Sequence, residues 1–116
     1  MIFGTHYRNI EDITSLVEHH LGVTLVRFDH PELGVSYSLV QEIDGTIEEV
    51  FEIASTKVYD KEENIYVSVD PDYEIYSYII DVNDMFPQVV TIFLNMIETG
   101  VIKAEPIQDY LNPEWL

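Results

Sequence analysis

Residues 34–54 read GVSYSLVQEI-DG-TIEEVFEIA, two runs of alternating apolar and polar side chains on either side of Asp44-Gly45. Alternation with period two marks a half-buried strand, and Asp-Gly favours a two-residue hairpin turn because both positions tolerate positive φ. The apolar pattern pulls the other way. Val35, Tyr37, Leu39 and Ile43 share one face with Ile47, Phe51 and Ile53 only if the loop holds three residues. A one-residue slip would turn every side chain over, so the pattern takes precedence and predicts a three-residue loop. Glu42, Glu48 and Glu52 then lie on the opposite face with Ser36 and Ser38. A short helix over residues 47–54 is the competing reading.

On the N-terminal side, Asn9 followed by Asp12 forms a variant capping box. Ile10, Ile13, Leu16, Val17, His20 and Leu21 then fall on one helical stripe, and Gly22 stands where a left-handed residue closes a helix. The spacing predicts a helix over 10–21. Residues 23–28 read as a strand, ended by a loop at Asp29-His30-Pro31-Glu32, since Pro31 blocks both helix and ladder.

On the C-terminal side, residues 57–60 and 64–69 read as a strand pair around Lys61-Glu62-Glu63, and Asp70-Pro71-Asp72 as a turn. Residues 74–82, rich in Tyr and Ile, are strand-like. Asp84 is placed to cap a last helix over 85–99, with Pro87 in its first turn and Gly100 closing it. Its stripe of Phe86, Val89, Val90, Phe93, Met96 and Ile97 is widened by Met85 and Ile92, which predicts burial on more than one side. Residues 101–116, with Pro106 and Pro113, read as an irregular tail anchored by Tyr110, Leu111, Trp115 and Leu116. The order implies a single α+β domain over residues 1–116. Its antiparallel sheet of four to five strands is packed by an N-terminal and a C-terminal helix. The wide stripe of the last helix, or the Trp115-Leu116 end, either closes the monomer core or makes a homodimer contact.

Charge is the unusual feature. Twenty-two Asp and Glu stand against five Lys and Arg, a formal net of −17, while 47% hydrophobic residues mark a globular chain and not an acidic tail. Between residues 42 and 81 there are twelve acids against Lys57 and Lys61 alone. Such a field repels nucleic acid and anionic membrane surfaces and steers basic molecules inward. No cysteine is present, which excludes disulfides, thiolate metal sites and cysteine nucleophiles. Residues 1–10 lack the continuous apolar core of a secretion signal, and residues 85–97 are too short and too polar to span a bilayer. The expected compartment is cytoplasmic.

The chemistry-bearing residues point away from catalysis. His19 and His20 are adjacent on a helix, about 100° apart, and do not chelate one ion as an i, i+4 pair would. Asp70, Asp72, Glu74 and Asp81 have the spacing of a calcium loop, but Ile75 stands where that loop needs Gly. No nucleophile elbow or phosphate-binding glycine loop is present, and Arg8 and Arg27 are the only arginines. The chain therefore reads as a non-enzyme without cofactor or metal. Its second feature is tyrosine: Tyr59, Tyr66, Tyr73, Tyr76 and Tyr78 fall among the acids, a mixture suited to capturing Lys and Arg through charge and cation–π contacts.

These features describe an inhibitor of a basic partner. The leading expectation is an immunity or antitoxin-like protein whose carboxylates occlude the phosphate site of a nuclease toxin. The partner-binding residues are then Glu42, Glu48, Glu49, Glu52, Glu62, Glu63, Asp70, Asp72 and Glu74, with Tyr66, Tyr73 and Tyr76 as anchors. One alternative is a phage or mobile-element DNA mimic that blocks a restriction or CRISPR nuclease. Another is a small ligand-binding or metabolic accessory domain whose acidity serves solubility or a salty habitat.

Overall fold

The computed structural model describes residues 1–31, 34–68 and 73–107. It contains a six-stranded antiparallel sheet with two helices on one face, and a separate two-stranded sheet. Chain order is β1 (Ile2–Thr5), α1 (Ile10–Leu21), β2 (Val26–His30), β3 (Gly34–Ile43), β4 (Thr46–Ser55), β5 (Lys57–Asp60), β6 (Ile65–Ser68), β7 (Tyr78–Val82), α2 (Pro87–Glu98) and β8 (Glu105–Pro106). The large sheet runs β2-β3-β4-β7-β1-β8, and β5 pairs only with β6. The α+β class and the two helices follow the sequence reading. The large sheet exceeds the predicted four to five strands because β1 and β8 join it.

The β3–β4 hairpin resolves the conflict between turn and pattern. Ile43 pairs with Thr46, so Asp44 and Gly45 form a two-residue turn, with φ of 52° and 80°. The predicted three-residue loop is wrong. The extra residue lies further down the strand, where Leu39 pairs with Phe51 but Val40 pairs with Glu49, leaving Val50 as a bulge. Asn83 holds the bulge in place: its backbone N–H donates to the Val50 carbonyl (3.0 Å) and its side-chain amide to the Glu49 carbonyl (2.9 Å). Below the bulge Tyr37, Leu39, Phe51 and Ile53 face the helices as the pattern requires. Above it the faces exchange, and Ile47 is left 72% exposed.

The helix-side core joins Ile13 and Val17 of α1 to Phe51, Ile53, Ile80 and Val82 of the sheet and to Met96 of α2. Phe93 meets Phe3 and Phe51 edge-on, at ring-centroid distances of 5.0 and 5.5 Å. α1 matches its predicted span. Gly22 ends it in the left-handed region, its N–H donating to the Glu18 carbonyl. Asn9 makes no side-chain cap bond, and Asp84 does not cap α2. The turn before α2 is instead fixed by Asn83, whose Oδ1 accepts the Met85 N–H, and Pro87 starts the helix. α2 is buried on one side only. It lies on the outside of the sheet, which leaves Met85, Ile92 and Leu94 exposed.

A second, smaller core covers part of the opposite sheet face. Tyr73 and Tyr76 fold onto Ile2, Ile79 and Ile107. Gly4 makes this possible, since a Cβ there would clash with the face of the Tyr76 ring. Thr56 pins the segment by donating its hydroxyl to the Tyr76 carbonyl at 2.6 Å. Residues 74–77 are therefore not strand, and β7 begins at Tyr78. The segment after residue 100 is not wholly irregular either: β8 pairs with β1, and Ile102 and Ile107 are buried. The predicted anchors Tyr110, Leu111, Trp115 and Leu116 lie outside the described residues. Among the described residues no helix is long and apolar enough to cross a membrane.

Candidate partner-binding face

The half of the sheet left open by Tyr73 and Tyr76 is built from β2, β3, β4 and the end of β7. Residues directly opposite in an antiparallel ladder share a face. Val26 lies opposite Ser38, and Ser38 opposite Glu52; Glu52 in turn lies opposite Asp81. One step towards the hairpin tip Val40 lies opposite Glu49, and then Glu42 opposite Ile47. The other way, Phe28 lies opposite Ser36 and Ser36 opposite Ala54. The bulge thus gathers Glu42, Glu49, Glu52 and Asp81 beside Val26, Phe28, Val40 and Ile47, all four of the latter exposed.

The electrostatics of the centre are those of crowded like charges. Ser38 is buried, and its hydroxyl donates to Glu49 Oε2 at 3.3 Å. Burial raises the Glu52 carboxyl above its ordinary range, and the charges of Glu49 and Asp81 push the same way while His30 opposes. Asp81 is likewise raised by burial, with the Met1 amino group opposing and Asp84 reinforcing. Beside them Met1, Glu49, Asp81, Asn83 and Asp84 line a polar cleft of about 290 Å³. Among the described residues the one ion pair is Arg27–Asp29, at 3.1 Å, on the helix-side face of β2. The acids of the open face therefore have no ion pair within the described chain, and the Met1 amino group and His30 offset only part of the charge at Asp81 and Glu52.

A raised carboxyl pair is also the chemistry of a general acid. Here the pair sits on an open sheet face. The imidazole whose charge acts on Glu52, His30, stacks on Phe28 at 6.5 Å in an exposed position. No group of three or more His, Asp or Glu among the described residues is arranged to hold a metal ion. A second cleft, of about 440 Å³, lies between β1, the end of α2 and β8. It is lined mainly by apolar groups, with His6, Lys103 and Glu105 at its edge, and Tyr7 Oη accepts the Lys103 N–H.

The residues expected to bind a partner divide among several places. Glu42, Glu49 and Glu52 come together on the open face. Glu48 does not: it lies opposite Gln41 on the helix-side face, because the bulge exchanges its place with Glu49. Glu62 and Glu63 are exposed in the β5–β6 turn, where Asp60 Oδ1 accepts both their N–H groups. Tyr66, on β6, is 72% exposed, and Glu74 is exposed beside the second core. Tyr73 and Tyr76 are 7% and 9% exposed, so they are core residues and not surface anchors. Asp70 and Asp72 lie outside the described residues. His6, just after β1, packs on the Tyr76 ring at 5.2 Å.

Sequence reasoning missed Asp81, Asn83 and the four exposed apolar residues of the face. An acid inside the apolar run Tyr78–Val82 was the available signal for the first. No protein-family model matches the chain, and no curated protein or solved structure matches it.

Proposed function

We propose that this chain is an acidic inhibitor of a basic protein, of the immunity or antitoxin kind. It acts in the cytoplasm and neutralises a nuclease toxin by setting carboxylates where the toxin binds substrate phosphates. The observation that carries this reading is the composition of the open half-face. Glu42, Glu49, Glu52 and Asp81 stand on it without a Lys or Arg, next to exposed Val26, Phe28, Val40 and Ile47. Unneutralised carboxylates beside apolar side chains suit a surface whose cations arrive from outside. The apolar groups supply area that is lost from water on contact, and the acids supply register and selectivity. The net charge of −17 acts at longer range, where complementary fields raise association towards about 10⁸–10⁹ M⁻¹s⁻¹. Glu62, Glu63, Glu74 and Tyr66 contribute to that partner-facing surface from outside the face.

The test is capture from lysate of the source organism at about 0.05 and 0.5 M salt, which bracket weak and strong screening. The bait is the native chain or a triple variant carrying Glu42→Lys, Glu49→Lys and Asp81→Lys. The expected result is one basic nuclease held by the native chain, weakened by salt and lost with the variant. Equal capture by both chains, or a partner with no basic surface, would remove the open face from the account.

A further inference from the structure

The two edges of the large sheet are unlike. β8 is two residues long and carries Pro106, which has no N–H to offer a neighbouring strand. β2 has neither safeguard. It pairs without interruption with β3 over five residues, all five side chains are exposed, and its outer edge has no strand beside it among the described residues. Two of the exposed residues are apolar, Val26 at 45% and Phe28 at 40%. An edge of this kind presents a row of backbone donors and acceptors ready for another strand.

The order of residues along β2 selects the occupant. Val26-Arg27-Phe28-Asp29-His30 is self-complementary when read antiparallel about Phe28. Val26 then faces the His30 of a second copy, Phe28 faces Phe28, and Arg27 faces Asp29. Within one chain Arg27 and Asp29 already point to the same face and pair at 3.1 Å. A second copy would close them into a square of alternating charge, two cations and two anions, with the two Phe28 rings adjacent on the opposite face. In a molecule of net charge −17, the longer described edge, which carries no proline, has as many cations as anions. We infer that the chain forms a weak two-fold dimer through antiparallel β2–β2 pairing centred on Phe28.

The two six-stranded sheets become one continuous sheet. A two-fold axis normal to that sheet keeps the two open acidic faces on the same side, so the dimer doubles the acidic surface. Five residues of ladder bury less than a standard interface, so association is concentration-dependent and not obligate. Repulsion between the acidic protomers opposes it at long range, and that repulsion is what salt screens first. The dimer therefore strengthens with salt, whereas capture of a basic partner weakens. This inference stands whether or not the inhibitor reading holds.

The experiment is sedimentation velocity across about a 100-fold concentration range, at low and high salt, on four samples. These are the native chain, Arg27→Asp, Asp29→Arg and an equimolar mixture of the two variants, with circular dichroism to establish that each is folded. The native chain is expected to dimerise, more strongly at high salt. Each single variant faces like charge with like charge and is expected to weaken association about tenfold or more. In the mixture, both acidic positions of one variant meet the basic positions of the other. Opposite charges are then paired again across the two-fold, and the dimer returns as a heterodimer. A native chain that stays monomeric throughout, a dimer untouched by either variant, or a mixture that fails to reassociate would each overturn the assignment.

Discussion

Replacing Glu52 by Gln should make the protein more stable at neutral pH. Glu52 stands directly opposite Asp81 on the neighbouring strand, with Glu49 on the same face. A charge pair directly opposite in a ladder is worth about 0.2–1 kcal/mol, so the like-charged Glu52–Asp81 pair costs up to about 1 kcal/mol, and Glu49, three residues along the same strand, adds to it. Gln keeps the length of the side chain and removes the charge. A gain of about 1 kcal/mol corresponds to about 3–6 °C in Tm for a domain of this size. The gain depends on pH in a defined direction. Because the folded-state carboxyl is raised by burial and by its neighbours, its contribution to stability is full below the unfolded value of about 4.3 and is lost as pH rises through the folded value. The native protein should therefore gain stability as pH falls from 7 towards the unfolded value of about 4.3, and the Gln variant should gain less over the same range. Thermal melts of both proteins across that range measure the effect. A Gln variant no more stable than the native chain at pH 7, or a gap that does not narrow on acidification, would refute the reasoning.

Four further substitutions test the scaffold. Gly4→Ala sets a Cβ against the face of the Tyr76 ring; it should cost about 1–3 kcal/mol as an overpacked site, read as a lower urea midpoint with an unchanged slope. Gly45→Val puts a β-branched residue at φ 80° in the hairpin turn. It should cost about 1–2 kcal/mol, and Asp44→Asn, which keeps the turn chemistry, should be close to neutral by the same melt. Asn83→Ala removes the donor to the Glu49 carbonyl and should lower stability by about 0.5–1.5 kcal/mol. Amide exchange should quicken at residues 48–51 while the β2–β3 ladder keeps its protection.

The parts of this fold that obey local rules were legible in the sequence. α1 shows its apolar stripe and its closing glycine, and β5 and β6 flank a turn rich in acids. β1 was not legible, because a four-residue strand buried along its whole length shows no alternation and Gly4 dilutes its apolar signal. The bulge was hidden for a different reason. Ile47 has the parity of Phe51 and Ile53, but the hairpin arm above Val50 runs beyond the helices, so no core enforces the alternation there. Acidity and its concentration in residues 42–81 were plain from composition. Which acids meet was not, since the bulge decides between Glu48 and Glu49, and Asp81 arrives from a strand far along the chain from its neighbour Glu52. Tyr73 and Tyr76 have the composition of an interface, but their burial depends on a glycine about 70 residues away in the chain.

The most direct test of the central claim is the nuclease activity of the basic protein that this chain captures, titrated with the native chain and with the Glu42→Lys, Glu49→Lys, Asp81→Lys variant. The account predicts loss of phosphodiester cleavage that is complete near equimolar native chain, eases as salt rises, and is absent with the variant. Cleavage that continues unchanged at saturating native chain, or inhibition equal for the two chains, would contradict it.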